Sequence, residues 1–476
     1  MQFVHVRDCS AEGIAKEIIG TLDTYGLGTI DIRGQGYDGC STMAGAKGGV
    51  AAIILRLNPK ALYFWCSGHL LNLVVGDTCK IRSVTNMMDS VRKCSQIFEF
   101  SSKKQDLLEQ QIKSDVQANS EHRSKLLNVY RTRWLARLDG LERIQQMFVP
   151  ITNTLELIKD NHDGSYDANA RADANGLQTT FLGFAFIANL IIVRNILAYI
   201  TPLTYELQKV KIDISTVYGA VDNVMDTLSS LREDVDTKHN EWYGEAVDFA
   251  RELDVQVKKP RYSTISRYFH RENYDTKSVS DYYKFSLTIP LLDKILAEFN
   301  ERFSKDHRMH SNGFSVIPSK LLVTKSWKSS VKEFSRQYKD DLPNPLRLDA
   351  ELDLWEHRWI REKSVNPLQI PDNVADTLTY LHRHRIVNWF PNIYVILKLI
   401  AVVPGSSCSC ERSISRLRLL KTYLRSTMDK ERLNGLALLY IHRDLDIDFE
   451  KVLDIFARKY RHRLQLVNIL DDGLKE

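Results

Sequence analysis

The chain has 476 residues, of which 43% are hydrophobic and 26% are charged. This composition excludes a globally disordered chain, and the length exceeds what one simple core accommodates, so two or three domains are expected. The formal net charge of +5 permits a polyanionic partner but does not demand one.

Cysteine content and hydropathy bear on the compartment of the protein. Seven cysteines, an odd number, are scattered along the chain, which predicts free thiols in a reducing environment. The N-terminus lacks the charged and apolar regions of a signal peptide. The most apolar stretch, residues 181–200, is interrupted by Asn189, Arg194 and Asn195, and this favours a buried helix over a membrane span.

The first 80 residues alternate between strand-like and helix-like segments. Strands are predicted at residues 3–6, 28–33 (GTIDIR) and 61–66 (ALYFWC). Helices are predicted from about Ser10, at VAAIILRL and at SGHLLNLVVGDTC, and a glycine-rich loop precedes VAAIILRL. This order predicts a mixed sheet flanked by helices.

From about residue 85 to 390 helical periodicity dominates, with polar breaks at 160–176, 257–278 and 304–315. Residues 404–460 then predict three short helices. The first begins near Glu411, the second follows Ser426 with Asp429 completing a capping box, and the third follows Asp446 or Asp448. Their apolar residues cover several faces and must pack against something: Leu417, Leu420, Leu433, Leu436, Leu439, Tyr440, Val452 and Phe456.

The loop GQGYDG (34–39) matches GxGxxG, but a dinucleotide site would need a carboxylate about 20 residues further on. The next acidic residue after Asp38 is Asp77, so we disfavour that interpretation. We instead expect Asp38 at the carboxyl end of a strand, where it could hold a divalent cation against a phosphate. The alternative is an ordinary Asp-Gly turn.

Two other patterns have both chemical and structural interpretations. Cys66 and His69 could form half of a zinc site, but no second pair lies at a usual spacing, and a structural role is favoured. Two basic-aromatic segments could bind a nucleic acid through phosphate contacts and base stacking. Their residues could equally be a helix start with a buried Trp and a solvated linker: Arg131, Arg133 and Trp134 in the first, and Lys258, Lys259 and Arg261 in the second.

Taken together, the motifs resemble the hAT superfamily of DNA transposases, in its domesticated or degenerate branch. The matching segments follow in order along nearly the whole chain: RGQGYDGCSTMAGAKGGV, ALYFWCSGHLLNLVVGDTC, YRTRW, RYSTISRYFHREN and PGSSCSCERSISRLRLLKTYLRSTMDKERLNGLALLYIHRD. The resemblance implies an α/β plus all-α fold, in which an RNase H-like domain is split by a large helical insertion and followed by a helical dimerisation segment. The implied boundaries are 1–110, 111–385 and 386–476.

The resemblance also implies site residues. The eight apolar residues listed for the three C-terminal helices fall in the segment that matches the family's dimerisation region, so they are the expected dimerisation residues. The family uses an Asp-Asp-Glu set that holds Mg²⁺ or Mn²⁺, and Asp38 matches its second aspartate while Glu411 matches its glutamate. Cys66 and His69 match the family's Cys-x-x-His, and Arg133 with Trp134 matches its Arg-Trp pair near DNA. Residues 3–6 resemble the third strand of the family's sheet, so the first strands and the first aspartate have no counterpart here.

We therefore expect a catalytically incomplete, nuclear hAT-like protein that binds no metal as it stands and acts by dimerisation. Its expected partner is a second copy or a related hAT-like protein, with possible nucleic-acid binding and no membrane association. One alternative is an active transposase whose first strand and aspartate lie upstream, and whose activity needs Mg²⁺ or Mn²⁺. Another is a DNA-binding transcriptional regulator without catalysis.

Overall fold

A computed structural model describes residues 3–114, 135–162, 164–207, 209, 214–260, 278–303, 309–365, 369–403, 407–422, 427–443 and 446–459. The chain forms two compact units, each described by itself. The large unit is Ser10–Cys408, and the C-terminal unit combines Met1–Cys9 with Ser409–Glu476. The described residues are predominantly helical, as the fold prediction requires. The predicted domain boundaries at 110 and 385 stay predictions.

The large unit begins with the predicted alternation of helices and strands. Ser10 caps the first helix by accepting a hydrogen bond from the N–H of Gly13 at 3.1 Å. The elements are α1 (Ala11–Thr24), β1 (Gly34–Tyr37), α2 (Ser41–Ala44), α3 (Val50–Leu57), β2 (Leu62–Trp65) and α4 (Ser67–Thr78). Helices α1 and α3 share a small apolar cluster around Ala15, Val50 and Ile54.

The two strands run parallel, with Gly34 opposite Leu62 and Tyr37 opposite Trp65. The predicted strand ALYFWC is confirmed, whereas β1 lies in the segment predicted as a loop. Glycine is a poor strand former, but it lets the backbone lie close to a neighbouring segment. The buried Gln35 also holds β1 in place, because its side-chain amide donates hydrogen bonds to the carbonyls of Ala51 and Ala61.

Two predicted strands are not formed. In the segment 28–33, Thr29–Asp31 is a 3₁₀ turn. The Asn58 side-chain amide donates hydrogen bonds to the carbonyls of Thr29, Ile30 and Ile32, which a neighbouring strand would otherwise engage. Residues 3–6 have no regular structure. The Phe3 N–H donates to Asn434 Oδ1 at 2.5 Å, and the Asn434 amide donates back to the Phe3 carbonyl at 3.1 Å. A side chain therefore replaces the expected strand partner, and the described residues contain one two-stranded sheet.

The rest of the large unit is a helical body with one continuous hydrophobic core. Its first helices are α5 (Arg82–Glu99), α6 (Ser102–Ser114), α7 (Leu135–Gln146), α8 (Phe148–Asp160), α9 (Ala168–Phe181), α10 (Phe184–Ala198), α11 (Thr201–Leu207), α12 (Ile214–Glu233) and α13 (Val235–Glu252). They are followed by α14 (Val279–Tyr283), a π-helical turn at Lys284–Thr288, α15 (Ile289–Arg302), α16 (Pro318–Leu321), α17 (Trp327–Gln337), α18 (Leu348–Val365), α19 (Val374–Arg383) and α20 (Pro391–Ala401).

Helix α10 covers most of the apolar stretch 181–200 and is buried around nearly its whole circumference. It packs against α5, α7, α9 and α13. Among the described helices, no single one is long and apolar enough to cross a membrane, although α9 and α10, bent by 66°, pass that test as a pair. The expectation of a core helix at 181–200 is met by the burial of α10.

The C-terminal unit contains α21 (Cys408–Leu420), α22 (Lys430–Ile441) and α23 (Phe449–Lys459), so the three predicted helices are present. Asp429 itself caps α22 by accepting the N–H of Arg432 at 2.9 Å, and this replaces the predicted capping box. The predicted cap Ser426 lies outside the described residues. Asp448 caps α23 by accepting the N–H of Lys451 at 3.0 Å, as one of the two predictions required.

Candidate functional site

The first candidate site lies at the carboxyl edge of the parallel strand pair. Asp38 follows β1 and Cys66 follows β2, and the ladder continues between them because the Cys66 N–H donates to the Tyr37 carbonyl at 3.1 Å. Asp38 is exposed, as a strand-end carboxylate should be. Its Oδ1 accepts the N–H of Cys40 at 3.4 Å, and its carbonyl accepts the Tyr63 hydroxyl at 3.1 Å. Asp38 therefore follows a strand and lies in a turn, although that strand is not the predicted segment 28–33; its role as a metal ligand stays a prediction.

Gly39 explains how the loop after Asp38 can lie so close to β2. A Cβ atom at this position would come within 2.5 Å of the Trp65 ring and 3.4 Å of the His69 ring. Any larger residue would push the loop away from both rings. The glycine thus brings Asp38 to the same edge as Cys66 and His69.

The Tyr63 hydroxyl and the Cys40 thiol beside Asp38 are neutral at neutral pH, because the pKa of each is raised. Burial, followed by the charge of Asp38, raises the pKa of the Tyr63 hydroxyl. Partial burial and its hydrogen bond with Asp38 raise the pKa of the Cys40 thiol. Asp38 is therefore an exposed carboxylate beside a neutral phenol and a neutral thiol.

The described residues contain no assembled set of metal ligands. Among the described residues, no three His, Cys, Asp or Glu side chains are grouped as a metal ion would require. The buried Cys66 Sγ instead accepts the N–H of Ser407 at 3.3 Å, a structural contact within the large unit. Glu411 lies in the first turn of α21 in the C-terminal unit, and Asp38 lies in the large unit. That these two carboxylates bind one cation together stays a prediction.

The predicted nucleic-acid residues are mostly beyond what the structure describes. Arg131, Arg133, Trp134 and Arg261 lie outside the described residues. Lys258 is exposed and Lys259 is half-buried, and the Tyr283 hydroxyl donates to the Lys258 carbonyl at 3.4 Å. That contact fixes the backbone just before Arg261.

Few side chains of the C-terminal unit are buried, and large apolar ones on its helices are exposed. The buried side chains among the described residues of this unit are Ser413, Leu420, Ala437 and Ala457. Of the predicted dimerisation residues, Leu420 is buried and four are half-buried: Leu417, Leu433, Leu436 and Tyr440. The remaining three are about half exposed: Leu439 at 56%, Val452 at 49% and Phe456 at 45%.

Further large apolar side chains are exposed on the same three helices. They are Ile414, Leu419, Leu438, Phe449, Leu453 and Ile455. Helix α21 is joined to the end of α22 because Arg416 donates to the Ile441 carbonyl at 2.8 Å, where a helix terminus favours a cation. This unit therefore presents an apolar surface that its own described residues leave open to solvent.

A second surface feature, which the sequence patterns did not single out, lies between α19 and α20. Helix α19 ends in a Schellman motif, in which the Arg385 N–H donates to the His382 carbonyl and the Ile386 N–H donates to the Leu381 carbonyl. Arg385 takes the left-handed position of that motif, with φ of 55°. Glycine is the usual residue there because other side chains are strained.

We call residues 382–389 the basic loop. Its exposed side chains are His382, Arg383, His384, Arg385, Asn388 and Trp389. A sequence signal for it exists: no acidic residue occurs between Asp376 and Glu411, while that interval holds five Arg, Lys or His side chains. The net charge of +5 alone gave no hint of this concentration.

Two comparisons with known families identify the origin of the chain. Residues 357–445 match the hAT family C-terminal dimerisation region. Residues 1–49 match the ZMYM1/FAM200, RNase-like domain. These matches support a hAT transposase-derived protein. The matched hAT region covers the basic loop, α20, α21 and α22, and it includes four of the nine exposed large apolar side chains named above; the other five lie on α23.

Curated relatives agree with the hAT assignment. The chain is 26% identical to the 52 kDa repressor of the inhibitor of the protein kinase from Homo sapiens over 445 residues, which cover 93% of this chain and 57% of the relative. It is 26% identical to the protein of the same name from Mus musculus over 473 residues, covering 98% of this chain and 61% of the relative. The chain thus spans about three fifths of the length of these relatives.

Proposed function

We propose that this hAT transposase-derived chain functions by self-association through α21, α22 and α23. The observation that carries the proposal is the distribution of side chains on these helices. Only four described side chains of this unit are buried, three of them small, while Leu439, Val452 and Phe456 are about half exposed. Contiguous apolar surface of this kind is typical of interaction sites. The match of residues 357–445 to a dimerisation region makes a second copy of the chain the occupant we favour.

A two-fold arrangement would place the same apolar residues on both sides of the interface. Each large side chain contributes about 1.5–3 kcal/mol when fully buried, so the second half of Val452 or Phe456 contributes about 1 kcal/mol on each copy. Several such contributions are needed to exceed the cost of association, which is roughly 4–15 kcal/mol. The three helices supply nine exposed large apolar side chains for this purpose.

Self-association is tested by sedimentation velocity over a series of protein concentrations. The expected result is a mass that rises from monomer to dimer with concentration. A monomer throughout the micromolar range would overturn the proposal.

We further propose that the chain does not catalyse DNA strand transfer by itself. The RNase H-like assignment, which the match of residues 1–49 and the parallel strand pair support, would make Asp38 and Glu411 two members of a carboxylate set. Two cations require more donors than the described neighbours of Asp38 provide. Purified protein with Mg²⁺ or Mn²⁺ should leave DNA uncut. Cleavage that disappears in both Asp38→Ala and Glu411→Ala would contradict this prediction.

The name of the curated relatives, a repressor, supports a regulatory role for this chain as part of the same proposal, and the nucleus is the compartment that we propose for it. Nucleic-acid binding through Lys258, Lys259 and Arg261, and through the Arg133–Trp134 pair, belongs to that role. Localisation of the tagged full chain by fluorescence microscopy tests the compartment, and an exclusively non-nuclear signal would contradict it.

A further inference from the structure

We propose that the basic loop and the adjoining face of α20 form a binding site for a single-stranded nucleic acid. Trp389 would stack on an unpaired base, while Arg383, Arg385 and Lys398 would contact phosphates. The site consists of residues other than the predicted nucleic-acid residues Arg131, Arg133, Trp134, Lys258, Lys259 and Arg261. It also differs from the proposed self-association surface, whose exposed apolar side chains lie on α21–α23.

Trp389 is the first reason. Its side chain is 70% exposed, whereas Trp327, Trp355 and Trp359 are each at most 1% exposed in the core. A tryptophan in solvent leaves a large apolar ring uncovered, and such a ring is suited to stacking on a base. Every base has such a face once it is unpaired, whereas in a duplex both faces are covered by neighbouring pairs. An exposed indole therefore favours a single strand over a duplex.

Arg385 is the second reason. A residue other than glycine in the left-handed conformation costs about 1–2 kcal/mol. The motif that ends α19 needs only the backbone of this residue, since its hydrogen bonds are made by main-chain atoms. The fold would be better served by glycine. What the arginine adds is an exposed guanidinium that can form two hydrogen bonds to a phosphate, and strain of this kind is typical of functional positions.

The charge around the loop is the third reason. The His382 ring lies 5.5 Å from the Tyr394 ring, and Lys398 Nζ lies 4.7 Å from the centre of the same Tyr394 ring. Cationic and aromatic groups thus continue from the loop along α20. Such interleaving of basic and aromatic side chains is what a single-stranded backbone and its bases require.

Among the acidic groups near the loop, the Asp341 carboxylate is compensated by cations. Beside Lys398, a cavity of about 500 Å³ is lined by Asp31 and Asp341 among others. The Asp341 carboxylate accepts two hydrogen bonds from Arg33, at 2.6 and 3.0 Å, and one from Lys60 at 2.8 Å. On the other side, Glu362 accepts the hydroxyl of Tyr380, whose ring lies 4.2 Å from the His384 ring. The positive character of the loop is therefore retained.

The experiment measures binding of the full chain to fluorescent thymidine and uridine oligonucleotides of about 16 nucleotides at low salt, by anisotropy. Trp389→Ala should weaken binding roughly 5- to 150-fold, the range for losing one stacked base. Arg383→Gln should reduce the slope of log K against log salt by about 0.7, the value for one phosphate of a single strand. Stronger binding of one oligonucleotide identifies DNA or RNA as the source, and either supports the site.

Matched controls separate the loop from the general surface. Phe100→Ala removes another exposed aromatic ring, and Lys93→Gln removes another exposed cation, both on the large unit. Neither should change binding. If these controls weaken binding as much as the loop variants do, the contact is non-specific and the site is overturned.

Arg385→Gly gives the sharpest test because its two effects have opposite signs. Relief of backbone strain should keep or raise the unfolding temperature, while loss of the guanidinium should weaken oligonucleotide binding several-fold. A structural role would instead leave binding unchanged. Absence of wild-type binding at low salt, or a Trp389→Ala variant that loses self-association but keeps binding, would overturn the proposal.

Discussion

Replacing Val452 by aspartate separates association from folding. The side chain is 49% exposed in the chain by itself, so folding buries only about half of it. It lies in the first turn of α23, where a carboxylate is favoured by the helix dipole. We therefore expect the variant to keep its helical content, measured by circular dichroism.

The effect on the dimer follows from the area that association would bury. Burying the exposed half of a valine contributes about 0.8 kcal/mol, or about 1.5 kcal/mol for two copies, which corresponds to roughly 10-fold in the dissociation constant. An unpaired carboxylate in the interface adds a desolvation cost on each copy, so about 10-fold is a lower limit. Sedimentation velocity at matched concentrations gives the two constants.

Val323→Asp is the matched control, since Val323 is 77% exposed and lies in the large unit rather than on α21–α23. It should associate like the wild type. The reasoning is refuted if Val452→Asp retains the wild-type dissociation constant while folding normally, or if both variants weaken association equally.

Three further predictions concern stability, each measured by thermal or denaturant unfolding. Glu351→Ala should cost about 3 kcal/mol, because the buried carboxylate accepts two backbone N–H groups at the start of α20; a cost below about 0.5 kcal/mol would contradict this. Burial lowers the pKa of His239, so the folded state binds fewer protons at this ring than the unfolded state. The free energy of unfolding should therefore be retained above about pH 6.5 and fall below it. His239→Asn should flatten that decline. Gly39→Ala should destabilise by about 1–3 kcal/mol through its clash with the Trp65 ring, whereas Gly48→Ala, with no atom within 4 Å, should be nearly neutral; equal effects would refute the packing argument.

The carboxyl-edge site could be predicted in part. A carboxylate at the end of a strand, followed by glycine, was readable from the GQGYDG segment, and Asp38 lies where that pattern places it. The contact of Cys66 with Ser407 was not readable, because 341 positions separate the two residues. The basic loop was not predicted. Its basic run, residues 382–385, lies between Tyr380 and Trp389 in the sequence, but only the tertiary structure shows that the Trp389 ring is exposed while other tryptophans are buried.

Local chemistry within the sequence determined the helices. Ser10 and Asp448 cap α1 and α23 through side chains that lie three residues from the N–H groups they accept, so short-range pattern was sufficient. The apolar surface of α21–α23 was also readable, because helical periodicity shows which residues share a face.

Only tertiary structure decided which segments became strands and how two helix ends were completed. Residues 34–37 form a strand because residues 62–65 lie beside them. Residues 3–6 do not form one, because the Asn434 side chain hydrogen-bonds both the N–H and the carbonyl of Phe3. At the N-terminus of α20, the Glu351 carboxylate accepts the N–H groups of Asn392 and Ile393, which lie 41 and 42 positions away in the sequence. A strand or a buried helix end needs hydrogen-bond partners from elsewhere in the chain, and pattern along the sequence does not specify which segment will supply them.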